Sequence, residues 1–362
     1  MLNARAIAFY LPQFHPIPEN DLWWGKGFTE WTNTAKAQPM FPGHYQPHVP
    51  ADLGFYDLRV PETRVQQAEM ARAYGIEGFC YYHYWFAGRR ILERPFDEVL
   101  ASGAPDFPFC LCWANETWSG VWHGVPNKIL IEQTYPGEAD HRAHFAALLP
   151  AFRDPRHIRV DGKPLFVIYR PTWFEDTAAT LRFWRGMAEE AGLAGLYLLG
   201  YSTRVGEDLT PFGYDGVIRG PDFKQRQWRN DWRNPLIRVK QKVSTLRGLP
   251  NIRELAELAA SQVGEQGGDT LYRSIAHAWD NTPRSGRNGV AYRNPDPELF
   301  RKVLTAAVGE MSGRPTEHRL VFLKSWNEWA EGNHLEPDLR HGMAYLQVLS
   351  EVLQEDAEVS AS

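Results

Sequence analysis

RLVFLKSWNEWAEG, residues 319–332, changes character halfway along. Leu320 to Leu323 form a short β-branched and aromatic run, the mark of a strand buried on both faces. Directly after it stand Glu328 and Glu331, three residues apart in a frame of Trp326, Asn327 and Trp329, and Gly332 and Asn333 interrupt any helix. An apolar strand emptying into a polar, aromatic turn is how α/β proteins present functional side chains at strand exits.

Seven further runs of the same kind lie upstream: AIAFY (6–10), IEGFCYYHYW (76–85), FPFCLCW (107–113), PLFVIYR (164–170), LYLLGYS (196–202), YDGVIRG (214–220) and YRSIAHAW (272–279). Between them, residues 61–75, 138–152, 181–192 and 297–311 carry apolar side chains at helical spacing. Eight such units predict an α/β fold, a (β/α)8 TIM barrel, with residues 1–362 as a single domain. Two stretches break the repeat. Residues 13–58, rich in Pro, Gly, Trp and His, read as one long functional loop. Residues 221–270 read as an insertion whose basic, aromatic part, KQRQWRNDWRNPLIRVKQK, precedes the amphipathic NIRELAELAASQ; a solvated helical insertion is favoured over a contact with an anionic polymer.

The 362 residues are 43% hydrophobic and 23% charged, enough apolar material for a core and too little charge for a disordered chain. A net charge of −5 favours neither nucleic acid nor an anionic membrane as partner. No run approaches the roughly 18 apolar residues of a membrane span, and the opening MLNARAIAFYLPQFH lacks the pattern of a signal peptide, so a cytoplasmic location is expected. Cys80, Cys110 and Cys112 lie in apolar runs and read as reduced packing residues. The 14 Trp, 15 Tyr and 19 Phe often stand beside polar residues, a combination that grips the C–H faces of sugars while hydrogen bonding their hydroxyls.

At the strand exits the chemistry-bearing side chains are Tyr10, Gln13 and His15; Tyr82, His83, Tyr84 and Trp85; Trp113, Asn115 and Glu116; Tyr169 and Arg170; Trp279, Asp280 and Asn281; and Trp326, Asn327, Glu328 and Glu331. Any one of them has a plain alternative: Tyr10 and Tyr169 as capped core residues, His83 as a satisfied core histidine. Glycoside cleavage needs a protonated acid at the departing oxygen and a second group that attacks, or activates what attacks, the anomeric carbon. Indoles would raise the pKa of one carboxyl and donors such as Asn327 would keep the other ionised. Glu30, Glu116 and Asp280 sit in similar aromatic settings, so spacing alone does not select the acid. GxSxG, GxxxxGK[ST] and GxGxxG are absent. GHYQPH sets His44 and His48 four apart, but Pro47 between them argues against a shared helical face, and no metal or cofactor is expected.

The segments AFYLPQFHPIPENDLWWGKGFTEWTN, YQPHVPADLGFYDLR, GIEGFCYYHYWF, CWANETW and SWNEWAEGNHLEPD resemble the WbsX-type proteins, a group related to glycoside hydrolase family 99, over residues 6 to about 347. The resemblance implies a (β/α)8 barrel acting, without metal or cofactor, on α-linked mannose-type or related bacterial surface polysaccharide. It implies Glu328 as the base that deprotonates the sugar 2-hydroxyl, which attacks C1 to give a 1,2-anhydro sugar. Glu331 is then the acid and later the base for water, with overall retention, and Tyr10 shapes the subsite around the anomeric carbon. Where the family often has His between the glutamates, this chain has Ala330. WbsX-type proteins have also been described as glycosyltransferases of surface-polysaccharide (O-antigen) synthesis, which leaves a transferase or transglycosylase as the alternative. The expected site is Glu328 and Glu331, lined by Tyr10, His15, Trp24, Trp85, Trp113, Asn115, Tyr169 and Asn327.

Overall fold

The structure, a computed structural model, describes residues 2–120, 129–223, 248–264 and 268–354. Its centre is a ring of eight parallel strands: β1 Arg5–Tyr10, β2 Ile76–His83, β3 Phe109–Trp113, β4 Lys163–Ile168, β5 Tyr197–Ser202, β6 Gly216–Arg219, β7 Leu271–Ala276 and β8 Leu320–Lys324. Each pairs with the next in the chain, and β8 pairs back onto β1, closing a (β/α)8 barrel. Nearly every strand residue is buried, which is why the strands read as continuous apolar runs rather than as alternation.

Residues paired across parallel strands share a face, so register sorts inside from outside. Phe9 pairs with Cys80, Cys80 with Cys110, and Tyr82 with Cys112. Phe9 stacks on Tyr82 at 5.5 Å and meets the rings of Tyr201 and Phe322, so these positions fill the barrel. All three cysteines are buried free thiols. The alternate positions face outward. Tyr10 donates its hydroxyl to Gln67 on the helix Pro61–Ala73, and Trp113 packs on His144 of the helix Glu138–Arg153 and on Trp184 of the helix Thr177–Glu190.

Helices form over the four periodic segments, at Pro61–Ala73, Glu138–Arg153, Thr177–Glu190 and Pro297–Gly309. Proline occupies the first turn of the first and last of these, where its missing N–H costs nothing. Thr177–Glu190 starts earlier than its apolar spacing because Asp176 accepts from the Ala179 amide at 2.9 Å. Two helices of nine residues or more have no counterpart among the periodic segments: Arg94–Ser102, and Ala344–Gln354, whose buried Leu346, Leu349, Val352 and Leu353 follow a helical period near the end of the chain.

The long loop over 13–58 is more structured than its composition suggested. It holds two short helices, Pro18–Trp24 and Glu30–Lys36, organised around Trp31, whose indole donates to the Tyr56 carbonyl at 2.7 Å and packs on Phe14, Tyr56 and Trp329. In the 221–270 stretch, the amphipathic segment forms the strand Asn251–Glu254 and the helix Leu255–Ser261; KQRQWRNDWRNPLIRVKQK lies outside the described residues. Among the described residues no helix is long and apolar enough to cross a membrane.

Candidate active site

At the carboxyl end of the barrel the chain leaves β8 and folds back in a tight hairpin. Asn327–Glu328 pairs antiparallel with Asn333–His334 around a single 3₁₀ turn, Trp329–Glu331. Gly332 closes the turn at φ +56°, and a Cβ there would meet Asp280 Cβ at 3.0 Å, so both conformation and space call for glycine. Ser325 fixes the hairpin's base: its hydroxyl donates to the Asn333 carbonyl at 2.6 Å and accepts from the Glu328 amide at 3.0 Å. The short turn brings both carboxyls to one side.

They face a cleft of ≈ 940 Å³ whose walls include Trp24, Tyr82, Tyr84, Trp118 and Tyr169. Its floor is ionic. Lys324, the last residue of β8, donates to both Glu328 oxygens at 3.0 and 3.2 Å and to the Tyr82 hydroxyl at 3.0 Å. Arg284, from the short helix Thr282–Ser285 beyond β7, donates to Glu331 at 2.6 Å and to Glu30 at 2.7 Å. Three carboxyls thus meet two fixed cations, and a low-dielectric pocket reaches neutrality when one carboxyl carries a proton. Beside this cluster Glu116 is paired with Arg170.

The environments select which carboxyl that is. Burial raises the pKa of Glu328, but Lys324 and the other surrounding partners more than reverse this and hold it at about 2. Burial also raises Glu331; Arg284 opposes this, but the adjoining Glu328 charge adds to it, and Glu331 ends well above the ordinary carboxylate range. The environment thus favours the charge on Glu328 and the proton on Glu331, and the two carboxyls titrate as a pair.

Of the residues expected from sequence, the structure brings Glu328, Glu331, Trp24 and Tyr169 to the cleft. Asn327 lies just beneath it, clamping Leu11 through its backbone N–H and C=O at 2.7 and 3.0 Å. Asn115 likewise holds the Arg170 backbone, at 2.7 and 3.0 Å, and donates to the Tyr135 hydroxyl, positioning Arg170 without lining the cleft. Tyr10, His15, Trp85 and Trp113 do not line the cleft. Tyr10 is fully buried against Phe79 and Tyr81, its hydroxyl on Gln67 at 2.7 Å. His15 is buried with Nδ1 at 3.0 Å from the Pro12 carbonyl. Trp85 stacks on His144 and donates to Asp140, and Trp113 packs between helices. The physical reason is strand phase: each of Tyr10 and Trp113 occupies the outward position of its strand.

Lys324 and Arg284 were not among the residues singled out. Lys324 had one legible signal, a lone cation ending an apolar strand, whereas Arg284 lies in TPRSGRNG with nothing to mark it. Asp280, a competing carboxylate, turns away: it accepts from His44 at 2.6 Å, Gln46 at 2.7 Å and the Thr282 hydroxyl at 2.6 Å. Its amide donates to the Glu331 carbonyl at 2.7 Å, so it braces the hairpin from behind. One group among the described residues has metal-ligand geometry: His48, His334 and Asp338, all buried. Pro47 does keep His44 and His48 off a common helix, but the fold carries His48 to His334 instead.

Similar proteins agree with this architecture. A glycoside hydrolase-like protein of known structure superposes with a TM-score of 0.59 at 15% identity, over 98% of this chain and 94% of its own. A GH99 endo-α-mannosidase from Bacteroides thetaiotaomicron superposes with a TM-score of 0.57 at 17% identity, over the whole of both chains. At such identities the likeness is one of fold. Protein WxcX of Xanthomonas campestris pv. campestris, itself described as uncharacterized, is 38% identical over 361 residues. The alignment takes in 99% of this chain but 51% of WxcX, so the chain spans about half the length of the curated relatives it matches. Residues 6–349 match the family described as Glycosyltransferase WbsX, and the chain belongs to that family.

Proposed function

We propose that the chain is a retaining glycosidase that cleaves α-linked mannose-type, or related, surface polysaccharide through a 1,2-anhydro sugar. The observation that carries this reading is the carboxyl pair on the floor of an aromatic cleft, with Glu328 favoured ionised by Lys324 and Glu331 favoured protonated. Glu328 and Glu331 leave one 3₁₀ turn on the same side and face one cleft, whereas the carboxyls of ordinary retaining pairs, ~5–5.5 Å apart, and of inverting ones, ~6.5–9.5 Å apart, flank the sugar from opposite sides. Neither is thereby set to attack the face opposite the other. The nucleophile is then best supplied by the substrate.

An axial 2-hydroxyl trans to an axial leaving group meets that need. Glu328 accepts the 2-hydroxyl proton, O2 bonds to C1, the C1–O bond to the leaving group breaks, and the Glu331 proton passes to the departing oxygen. Glu331, now ionised, takes a proton from water as that water opens the anhydro ring at C1, and O2 recovers its proton from Glu328. Two inversions give retention. A carboxylate at about 2 is a weak base at rest, but its proton affinity rises as Glu331 gives up its own proton, because two adjacent buried anions repel. The two proton movements are thereby coupled.

The family description favours a second reading, transfer to a sugar acceptor, which shares the first step and differs in what reaches C1. Products formed in ¹⁸O-water separate the two. Wild type incubated with α-mannans and bacterial surface polysaccharides is expected to release fragments carrying label at the new reducing end. Glu331→Gln should lower that rate by about 10² to 10⁴-fold with the fold intact. Chains lengthened without label would replace hydrolysis by transglycosylation. Activity confined to nucleotide-sugar donors, or a fully active Glu331→Gln, would remove the proposal.

A further inference from the structure

Behind the hairpin lies a second cavity, of ≈ 650 Å³, lined by His48, His277, His334 and Asp338 among others. We propose that His48, His334 and Asp338 bind a divalent first-row transition-metal cation, zinc or a close analogue, which fastens the hairpin of Glu328 and Glu331 to the segment preceding Pro50.

The geometry comes first. His48 Nδ1 is 2.8 Å from His334 Nε2, and the Asp338 Oδ2 atom is 4.0 Å from the first and 3.9 Å from the second. A triangle with these edges has a centre about 2.1 Å from every corner, within the range of zinc bonds to imidazole nitrogen and carboxylate oxygen. A metal-free account covers only one edge, as an N–H···N bond between the rings. It leaves Asp338 facing both nitrogens from beyond hydrogen-bond distance.

The surroundings are those of a ligand set. His334 Nδ1 lies 2.8 Å from the Glu336 carbonyl, which only accepts, so Nδ1 carries the proton and Nε2 directs its lone pair at the cluster. Asp338 is oriented by backbone amides of Arg340 and His341 on Oδ1, at 2.9 and 2.6 Å, and by His341 Nδ1, 3.2 Å from Oδ2. His277, 4% exposed and facing the same cavity, has an Nδ1 with no hydrogen-bond partner among the described residues. Two imidazoles and one carboxylate select a transition ion over Mg²⁺ or Ca²⁺, which prefer oxygen alone. The cavity leaves a further coordination position for water or a small ligand.

The consequence for the hairpin follows from His334. Its ring stacks on Trp329 at 3.6 Å, and its backbone pairs with Asn327. The cation would join residues 286 apart in sequence, alongside the backbone bonds Leu339 N to Val49 O and Ala51 N to Pro337 O, both 2.9 Å.

The test uses the whole chain, stripped with a chelator and titrated with Co²⁺, whose visible absorption reports coordination, then with Zn²⁺ as competitor. One equivalent per chain is expected, with a rise in Tm that Mg²⁺ does not reproduce. His48→Ala and Asp338→Asn should each abolish the Co²⁺ signal. His341→Phe, which keeps all three ligands, should weaken binding by about 10- to 100-fold. If wild type shows neither Co²⁺ absorption nor a Zn²⁺-dependent Tm, the cluster is a hydrogen-bonded histidine pair and the proposal fails, whatever the variants do. Binding unchanged in both His48→Ala and His341→Phe would overturn it equally.

Discussion

Two aromatic assemblies meet at the carboxyl ends of the same strands. Inside the barrel mouth, Lys324 donates to the Tyr82 hydroxyl at 3.0 Å, and Tyr169 stacks on Tyr201 at 4.9 Å. Outside, between barrel and helices, His83, Trp85, Trp113 and His144 pack on one another: His83 and His144 share a hydrogen bond of 2.7 Å and Trp85 stacks on His144 at 4.6 Å. Neighbouring residues of one strand, Tyr82 and His83, belong to different assemblies. One holds charges in place along the cleft and the other fills the space between layers; residue type distinguishes neither, whereas strand phase does.

The largest expected effect breaks the inner assembly. Lys324→Met removes the cation that holds Glu328 at about 2, so burial and the nearby carboxyls raise its pKa. The proposed mechanism needs Glu328 ionised and Glu331 protonated, so on that proposal the acid limb of the kcat/KM profile should move to higher pH. Each unit of movement removes about tenfold of the activity on that limb. An unmoved acid limb would mean that Lys324 does not set the state of Glu328.

A smaller effect separates the assemblies directly. Trp113 is 1% exposed and packed on His144, Trp184, Phe174 and Tyr135. Trp113→Ala should cost about 3–5 kcal/mol of stability, read by denaturant unfolding, with the KM of the proposed reaction unchanged in the remaining folded protein. Trp118, which lines the cleft and packs edge-on against Tyr84 at 5.1 Å, should behave in the opposite sense: Trp118→Ala raises KM with little loss of stability. Matching profiles for the two variants would erase the distinction drawn here.

Next is the pH dependence of folding. Glu336 is buried beneath the hairpin, and burial raises its pKa to about 7 against the donors Trp329, Gln67 and Tyr56, whose contacts are 2.6, 2.6 and 2.8 Å. A carboxyl whose folded value exceeds its unfolded one stabilises below the unfolded value, about 4.5, and that contribution is lost as pH rises through about 7. The loss is about 3 kcal/mol between pH 5 and 8. Glu328, with a depressed value, acts in the other direction, losing its contribution as pH falls from about 4.5 towards 2. Several buried histidines, their pKa values lowered by burial, oppose the Glu336 effect by losing stability as pH falls, so the readout is a difference. The stability of wild type relative to Glu336→Gln should fall as pH rises from 5 to 8, and a constant difference would remove the role given to Glu336.

The barrel was legible because its strands are buried on both faces and its helices on one, so each leaves its own period. The carboxylate pair was legible because Gly332 and Asn333 end the strand exit in a turn, which forces residues three apart to one side. What stayed hidden depends on contacts between distant segments. Arg284 reaches Glu331 and Glu30 from a short helix with no apolar period, and His48 meets His334 across most of the chain. Tyr10 and Trp113 were readable as strand ends, but their phase was not, since a strand buried on both faces carries no polar alternation to reveal which side is the mouth.

Tyr10 gives the smallest and sharpest test of that phase. Its hydroxyl donates to Gln67 Oε1 at 2.7 Å, while Gln67 Nε2 donates to Glu336 Oε1 at 2.6 Å, so the outer layer is wired to the hairpin by two bonds. Tyr10→Phe keeps the ring, its packing on Phe79 and Tyr81, and the strand. It leaves one buried acceptor on Gln67 without its donor, a loss of about 1–3 kcal/mol. Because Gln67 still faces Glu336, the cleft and its two carboxyls keep their geometry, and KM should match wild type. A subsite role would give the reverse, a changed KM at unchanged stability, because a phenol against sugar is exchanged for a ring that cannot hydrogen bond.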